Sequence, residues 1–122
     1  MFYHGDIRPG FKSAFDDFVK NGVVLICERS ASIVGVLIGS HCLDVDWEGM
    51  TAKIEAVVVD ERFRRIGIGK KLVNRFIKLC RKQGCKAVKS RVNKRNMEAQ
   101  EFHESLGFAR ADTYEYIRDF QT

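Results

Sequence analysis

The stretch from Val57 to Lys71 constrains this chain most, because it joins a strand pattern to a helix pattern through a glycine-containing turn. The three valines Val57–Val59 are typical of the end of a strand. A charged turn with Gly67 and Gly69 follows, and a helical pattern begins there. The first N–H groups of a helix lack an intrahelical partner, and the helix dipole favours negative charge at that end. The sequence therefore predicts an anion-binding site.

The glycines and cations of this turn suit a pyrophosphate. Gly67 and Gly69 let a ligand approach the backbone without meeting a Cβ atom. Fixed positive charge comes from Arg64, Arg65, Lys70 and Lys71. A Rossmann fingerprint needs a third glycine where Leu72 stands, and a Walker loop needs a longer glycine spacing and a Lys-Ser/Thr pair. A glycine turn with merely solvated charges is the plain alternative.

Two motifs stand on either side of one predicted helix and strand. The first is Arg64-x-x-Gly67-x-Gly69 between strand and helix. The second is Asn96-x-x-Ala99-x-x-Phe102-His103-x-x-x-Gly107-Phe108. The first resembles the acetyl-CoA-binding motif, and the second resembles the second signature, of the GNAT superfamily of acetyl-CoA-dependent N-acetyltransferases. Both occur in order, separated by one helix and one strand, and together they cover roughly Ile54 to Phe108.

The resemblance implies how acetyl-CoA, the co-substrate, would bind. The strand ending at Val59 would splay from the strand ending near Val92, and acetyl-CoA would enter the gap. Its carbonyl would meet backbone N–H groups near Val57 to Val59, its pyrophosphate would lie on the turn, and Asn96 would contact CoA. The implied cofactor-binding residues are Val57, Val58, Val59, Arg64, Arg65, Ile66, Gly67, Ile68, Gly69, Lys70 and Asn96. The implied reaction is direct attack of a primary amine on the thioester through a tetrahedral intermediate, without a metal.

Glu55 is the candidate general base. It lies inside the apolar strand Ile54 to Val59, where a carboxylate is unexpected unless it has a partner or a task. Members of the family often carry an acidic residue in this strand, so Glu55 is expected to help deprotonate the amine. The alternative is a solvent-facing Glu55 paired with Lys53 or with a neighbouring strand.

His103 and Tyr116 are the candidate general acids. His103 stands where the family often carries a tyrosine proposed to protonate the departing thiolate, and a histidinium can make that donation. The alternative is a core histidine bonded to a backbone carbonyl, because His103 shares an apolar helix face. Tyr114 and Tyr116, on a predicted closing strand, are rival donors.

The element pattern predicts an α/β fold at the border with α+β. We expect a mixed, mostly antiparallel twisted sheet with helices on both faces and a central βαβ unit. The predicted strands are Phe2 to Ile7, Val23 to Glu28, Ile33 to Leu43, Thr51 to Val59, Lys86 to Val92 and Thr113 to Phe120. The predicted helices are Phe11 to Lys20, the glycine turn to about Gln83, and a helix capped by Asn96 and ended by Gly107.

Composition favours one globular domain over residues 1–122. Apolar residues make up 45% and charged residues 30% of 122 residues, and no apolar run approaches the roughly 20 residues of a membrane span. No signal-peptide pattern starts the chain, so we expect a cytoplasmic protein. The four cysteines form no CxxC pair, so no zinc site is expected, and a catalytic cysteine is a weak alternative.

The charge distribution leaves the partners open. The net charge is +5, and no Asp or Glu occurs from Arg62 to Arg95. This basic block is consistent with a binding site for the phosphates of CoA or with a solvated helix face, and a nucleic acid or an acidic protein is a third possible partner. The leading prediction is an N-acetyltransferase. The alternatives are a non-catalytic CoA-binding regulatory module and a nucleic-acid-binding accessory protein. The acidic loop Asp44, Asp46 and Glu48 would suit a cationic acceptor, and a second subunit could complete the pocket in a homodimer.

Overall fold

The computed structural model describes residues 16–17 and 19–121 of the chain. Residues 16–17 and 19–21 are helical. The predicted first strand, Phe2 to Ile7, and most of the predicted helix from Phe11 to Lys20 lie outside the described residues.

Four strands form one mixed sheet in the order β1-β2-β3-β4. The strands are β1 (Val23–Arg29), β2 (Ser32–Asp44), β3 (Gly49–Val59) and β4 (Val88–Ser90). β1 with β2 and β2 with β3 pair antiparallel, whereas β3 and β4 pair parallel through the crossover helix α1 (Ile68–Lys82). The second helix, α2 (Met97–Ser105), follows β4. The predicted mixed sheet with a central βαβ unit is therefore confirmed.

Helix α1 lies directly on β2. An added Cβ at Gly35 would come within 2.8 Å of Ile68, and one at Gly39 within 2.5 Å of Phe76. The lack of a side chain at these two positions lets the helix approach the strand. Phe76 is fully buried in the cluster between helix and sheet. On the opposite face of β2, Ile38 is also buried, so both faces of the sheet centre are covered.

A bulge in β3 marks the place where β3 and β4 part. Ile38 pairs with Ala56 but the next residue, Gly39, pairs with Ile54, so Glu55 is the extra residue of β3. The parallel pairing joins Ala52, Lys53 and Ile54 of β3 to β4 and stops at the same point. β3 continues to Val59 without a neighbour on that side in the described sheet. The predicted splay of the two strands thus begins at Glu55.

Two strand predictions need correction. β4 covers only Val88–Ser90 rather than Lys86 to Val92, because β3 turns away beyond Ile54. The predicted closing strand from Thr113 to Phe120 is wrong, since residues 113–120 carry no strand in the structure. These residues are exposed, and strand preference mainly reflects packing on a pleated, half-buried surface. An ion pair of 3.0 Å between Arg91 and Glu115 ties this segment to the end of β4.

The helix ends follow the sequence signals. Asn96 caps α2 by accepting a hydrogen bond from the Ala99 N–H at 3.0 Å, and Gly107 follows the helix with φ of 89°. Within the part of the chain that the structure describes, no helix combines the length and the apolar character needed to cross a bilayer.

Candidate functional site

A cavity of about 450 Å³ opens between the end of β3, the N-terminus of α1 and helix α2. It lies where β3 has left β4. It is lined by Val57, Val59, Phe63, Arg64, Arg65, Gly67, Ile68, Gly69, Lys70, Asn96, Glu98, Ala99, Glu101, Phe102 and Ser105.

Most of the cofactor-binding residues expected from the sequence meet in this cavity; the exceptions are Val58 and Ile66. Successive side chains of a strand point to opposite faces, so Val57 and Val59 face the cavity while Val58 faces away. The side chain of Ile66 is half exposed and does not line the cavity.

The glycine turn, Arg64 to Gly69, presents an uncapped helix start. Gly67 is the N-cap of α1 with φ of 87°, and no side chain caps that end. The first intrahelical bond runs from the Lys71 N–H to the Gly67 carbonyl at 3.0 Å. The preceding N–H groups have no partner within the helix, and they carry the positive end of its dipole. The turn is therefore suited to an anion.

One strained backbone position lies in this turn. Arg65 has φ of 64°, a left-handed conformation that costs a residue with a Cβ atom roughly 1–2 kcal/mol. Such strain persists where the surrounding structure holds it, often at binding sites. Here it places the Arg65 side chain on the cavity wall.

The charges of the cavity wall are divided between its two sides. Arg64, Arg65 and Lys70 come from the glycine turn and α1, and the Arg64 Nε donates to the Val59 carbonyl at 3.5 Å. Glu98 and Glu101 come from α2. The positive side coincides with the free helix N-terminus, so that side is where a phosphate would be held.

Helix α2 supplies the opposite wall. The side-chain oxygen of Asn96 is used in capping, and among the described contacts its amide nitrogen donates no hydrogen bond. Phe102 packs against the start of α1, since a Cβ at Gly69 would lie 3.4 Å from its ring. The lack of a side chain at Gly69 leaves the two helices close together beside the cavity.

Glu55 sits at the bulge and does not line this cavity. Its carboxylate accepts a hydrogen bond from the Ser40 hydroxyl at 2.9 Å and lies 3.7 Å from the Lys53 ammonium. Its side chain is 28% exposed, so water reaches it. The structure thus provides the polar partners of the plain interpretation while placing the carboxylate at the point where the strands part.

The side chain of His103, on α2, is buried in the core and does not line the cavity. Its Nδ1 is 2.7 Å from the Ala99 carbonyl, so Nδ1 carries the proton, and its Nε2 lies 2.8 Å from the Ser90 hydroxyl. The rings of Phe102 and Phe108 meet it edge to face. Burial lowers its pKa and so favours the neutral imidazole. This geometry matches the core alternative and not a proton donor to the cavity.

The remaining candidates stand apart from the cavity. Tyr114 and Tyr116 are 90% and 93% exposed in the segment without strand structure. Burial raises the pKa of the Cys80 thiol to about 11, so Cys80 is not an activated nucleophile. Asp44 of the acidic loop is bound by the Lys89 ammonium, which lowers the Asp44 pKa.

Sequence comparison decides the family. The profile described as "Acetyltransferase (GNAT) family" matches residues 2–108. The chain belongs to the GNAT family of acetyltransferases. It is 33% identical, over 88 residues, to an uncharacterized N-acetyltransferase of Methanocaldococcus jannaschii. The match covers 68% of this GNAT chain but only 37% of the length of that relative.

Solved structures share the GNAT fold. A transcriptional regulator from Bacillus halodurans C-125 superposes with a TM-score of 0.79 at 26% identity, over 93% of this chain and 77% of that one. The enzyme AAC(6')-Iy in complex with the bisubstrate analog CoA-S-monomethyl-acetylneamine superposes with a TM-score of 0.78 at 20% identity, over 91% and 82% of the two chains. At the latter identity the likeness concerns the fold alone.

The structure adds lining residues that the sequence did not single out. Glu98 and Glu101 lie three residues apart and therefore share one face of α2, next to Phe102 and Ser105. Because Asn96 is the N-cap, the spacing of Glu98 and Glu101 could have predicted that they share a helix face once the helix itself was predicted. Phe63, in the short 3-10 turn Glu61–Phe63, had no periodic signal.

Proposed function

We propose that this chain is a single-domain N-acetyltransferase that moves an acetyl group from acetyl-CoA to a primary amine. The main support for this proposal is the cavity where β3 and β4 separate. One side of this cavity has a free helix N-terminus and three cationic side chains. Membership of the GNAT family supports acetyl transfer as the reaction class.

The residues of the cavity fit CoA. Backbone N–H groups at Gly67 to Lys70 and the side chains of Arg65 and Lys70 would hold the pyrophosphate. The apolar side chains of Val59 and Phe102 would flank the pantetheine arm, and the Asn96 amide nitrogen would donate to it. Backbone N–H groups on the open side of Val57 to Val59 would meet the thioester carbonyl.

The chemistry then needs a neutral amine and a stabilised oxyanion. The amine nitrogen attacks the thioester carbon, the carbonyl oxygen takes up the negative charge, and the carbon–sulfur bond breaks as the intermediate collapses. Preorganised N–H donors on β3 stabilise the oxyanion. Glu55 takes the amine proton through water, since its carboxylate is part exposed at the bulge and does not line the CoA cavity.

The proton for the departing thiolate comes from the solvent in this proposal. His103 is buried with both ring nitrogens engaged, and Tyr116 is exposed away from the cavity. Neither geometry supports a direct donor. The role of Tyr116 therefore stays a sequence prediction that a variant can test.

The acceptor is proposed as an amine of cationic character. Asp46 and Glu48 remain exposed in the loop 45–48, whereas Asp44 is engaged by Lys89. A small amine is one acceptor class, and a protein amine is another. A cytoplasmic location and a homodimer that completes the pocket remain parts of the proposal drawn from the sequence.

A panel of amines with radiolabelled acetyl-CoA tests this function. We expect label in at least one amine product together with stoichiometric release of free CoA thiol, and loss of both in Glu55→Gln. Hydrolysis of acetyl-CoA at the same rate with and without every amine would contradict the proposal.

A non-catalytic CoA-binding regulatory module is the second candidate. Similarity to a transcriptional regulator and the position of Glu55 outside the cavity favour it. The same panel separates the two functions, because the module would bind acetyl-CoA in calorimetry yet acetylate no amine.

A further inference from the structure

A second cluster of reactive side chains lies at the other end of α1, away from the CoA cavity. One ring nitrogen of His41 and the sulfur atoms of Cys80 and Cys85 all lie within 4.8 Å of one another. Cys80 is buried, and His41 and Cys85 are half-buried. A helix of 15 residues is about 22 Å long, so this cluster is separate from the glycine turn.

The fold holds the three side chains in place through backbone contacts. Cys80 and Cys85 are joined by the helix C-cap: the Cys85 N–H donates to the Cys80 carbonyl at 3.0 Å, and the Gly84 N–H donates to the Arg81 carbonyl at 3.1 Å. Gly84 has φ of 87°, as this type of cap requires. His41 lies two residues beyond Gly39 on β2, and Cys80 lies one helical turn beyond Phe76 on α1. Both residues therefore follow the contact between Gly39 and Phe76.

The helix cap alone explains why the two sulfur atoms lie close together, but it does not explain the position of the histidine beside them. Apolar contact between these two cap positions is common, so paired cysteines there need no ligand. However, the Nε2 atom of His41 is buried and has no hydrogen-bond partner among the described residues. A buried polar atom without a partner is rare and calls for an explanation such as an ion.

We propose that His41, Cys80 and Cys85 bind a zinc ion, with water as the fourth ligand. Two thiolates and an imidazole with one open position form a known tetrahedral zinc set. Given Zn–S and Zn–N bonds of about 2.3 and 2.0 Å, ligand atoms lie roughly 3.5–3.8 Å apart, so a contraction of about 1 Å suffices. On binding, the two thiols release two protons to solvent and the imidazole binds through its lone pair.

The ion would fasten the C-terminal end of α1 to β2. Zinc would bond to Cys80 and Cys85 at the helix end and to His41 in the sheet. Because this end of α1 is remote from the cavity, failure of the zinc proposal would leave the acetyltransferase proposal untouched. The cysteine spacing alone did not predict it, since the third ligand comes from a distant strand.

Cobalt titration of the chelator-treated full chain tests the site, because Co²⁺ reports thiolate ligands by its absorption. We expect one Co²⁺ per chain, a thiolate-to-cobalt charge-transfer band, release of two protons, and displacement by Zn²⁺. His41→Ala and Cys85→Ser should each lower Co²⁺ affinity on the order of 100-fold or more, beyond the loss typical of outer partners. Cys27→Ala and Cys42→Ala are matched controls and should bind as wild type.

Thermal unfolding with and without Zn²⁺ distinguishes loss of the metal site from misfolding of a variant. Zn²⁺ should raise the Tm of wild type and of the two controls but not of His41→Ala or Cys85→Ser, whose circular dichroism should stay native. The proposal is overturned if wild type binds no Co²⁺. It is equally overturned if the controls lose binding as the ligand variants do, or if Cys80 and Cys85 form a disulfide in metal-containing, non-reducing buffer.

Discussion

The guanidinium of Arg62 holds the carboxylate of Asp60 by two hydrogen bonds, Nε to Oδ1 at 3.2 Å and Nη2 to Oδ2 at 3.1 Å. This pair lowers the pKa of Asp60 and raises that of Arg62. Asp60 also accepts the Arg62 N–H and so caps the short 3-10 turn. Arg62 therefore serves the turn itself, whereas Arg65, three residues on, lines the cavity.

Replacing Arg65 by alanine should weaken CoA binding. A charge-assisted contact to phosphate is worth about 1.5–3 kcal/mol, so we expect a Kd roughly 10- to 150-fold higher by calorimetry. Arg62→Ala removes the same charge three residues earlier but leaves the cavity wall intact, so its Kd should change by less than about threefold. Equal losses in both variants would mean that net charge alone, and not the Arg65 contact, governs binding.

The two glycines of the turn should respond oppositely to alanine. A Cβ at Gly67 meets no atom within 4 Å, but φ of 87° makes alanine costly there by about 1 kcal/mol of unfolding free energy. Gly69 lies in the helix without positive φ, so Gly69→Ala should leave the free protein as stable or stabilise it by up to about 1 kcal/mol. Urea unfolding measures both changes. A destabilised Gly69→Ala would show that its contact with Phe102 is too tight.

Glu55→Gln should reduce turnover by about 10²–10⁴-fold at an unchanged Kd for acetyl-CoA, because the amide keeps the shape but cannot accept the proton. Ser40→Ala is the matched control, since it removes a hydrogen bond to Glu55 and leaves the carboxylate. Its turnover should fall by less than about tenfold. Wild-type turnover and pH profile in Glu55→Gln would reject the assignment and leave Glu55 as a partner of Lys53.

His103→Phe should alter stability rather than catalysis. The variant leaves the Ser90 hydroxyl and the Ala99 carbonyl without their partner, which costs roughly 1–3 kcal/mol of unfolding free energy at neutral pH. Turnover per folded molecule should match wild type. A loss of turnover at unchanged CoA affinity would instead return His103 to the role of proton donor.

The pH dependence of stability gives His103 a second test. Its pKa is lowered in the fold, so the unfolded chain binds the proton more tightly. The wild-type unfolding free energy should therefore be fully retained above about pH 6.5 and fall as the pH drops through the folded pKa. In His103→Phe this acid-side slope should become shallower. Denaturant unfolding from pH 5 to 8 measures it, and identical slopes in both proteins would contradict the buried neutral state.

Tyr116→Phe should leave turnover unchanged, because the Tyr116 hydroxyl is exposed and away from the cavity. Tyr114→Phe is the matched control on the same segment. A turnover reduced tenfold or more in Tyr116→Phe alone would show that residues 113–120 reach the thioester when CoA is bound.

The sequence predicted elements wherever local chemistry sets them. The helix start at Gly67, the cap at Asn96 and the valine strand each depend on residues close together in the chain. The strand predicted for residues 113–120 was wrong because a strand forms only when a distant segment pairs with it, and the local sequence pattern does not show whether one does. β4 was predicted too long for a related reason, since the bulge at Glu55 that ends its pairing depends on the register with β2.

The candidate site was predictable on one side only. The proposed anion site consists of consecutive residues of the glycine turn, so it could be predicted from the sequence. Glu98 and Glu101 joined it only because α2 packs opposite the turn. The environment of His103 depended on Ser90 from another element, which periodicity on a single helix cannot reveal.

Calorimetric titration of the wild-type protein with acetyl-CoA measures directly whether the cavity between β3 and α2 binds CoA. We expect one site per chain with a micromolar Kd. Free CoA should compete for this site, whereas a CoA analogue without the pyrophosphate should not. No detectable binding at millimolar acetyl-CoA, or equal affinity for the analogue without pyrophosphate, would contradict the assignment of the cavity between β3 and α2 as the CoA site.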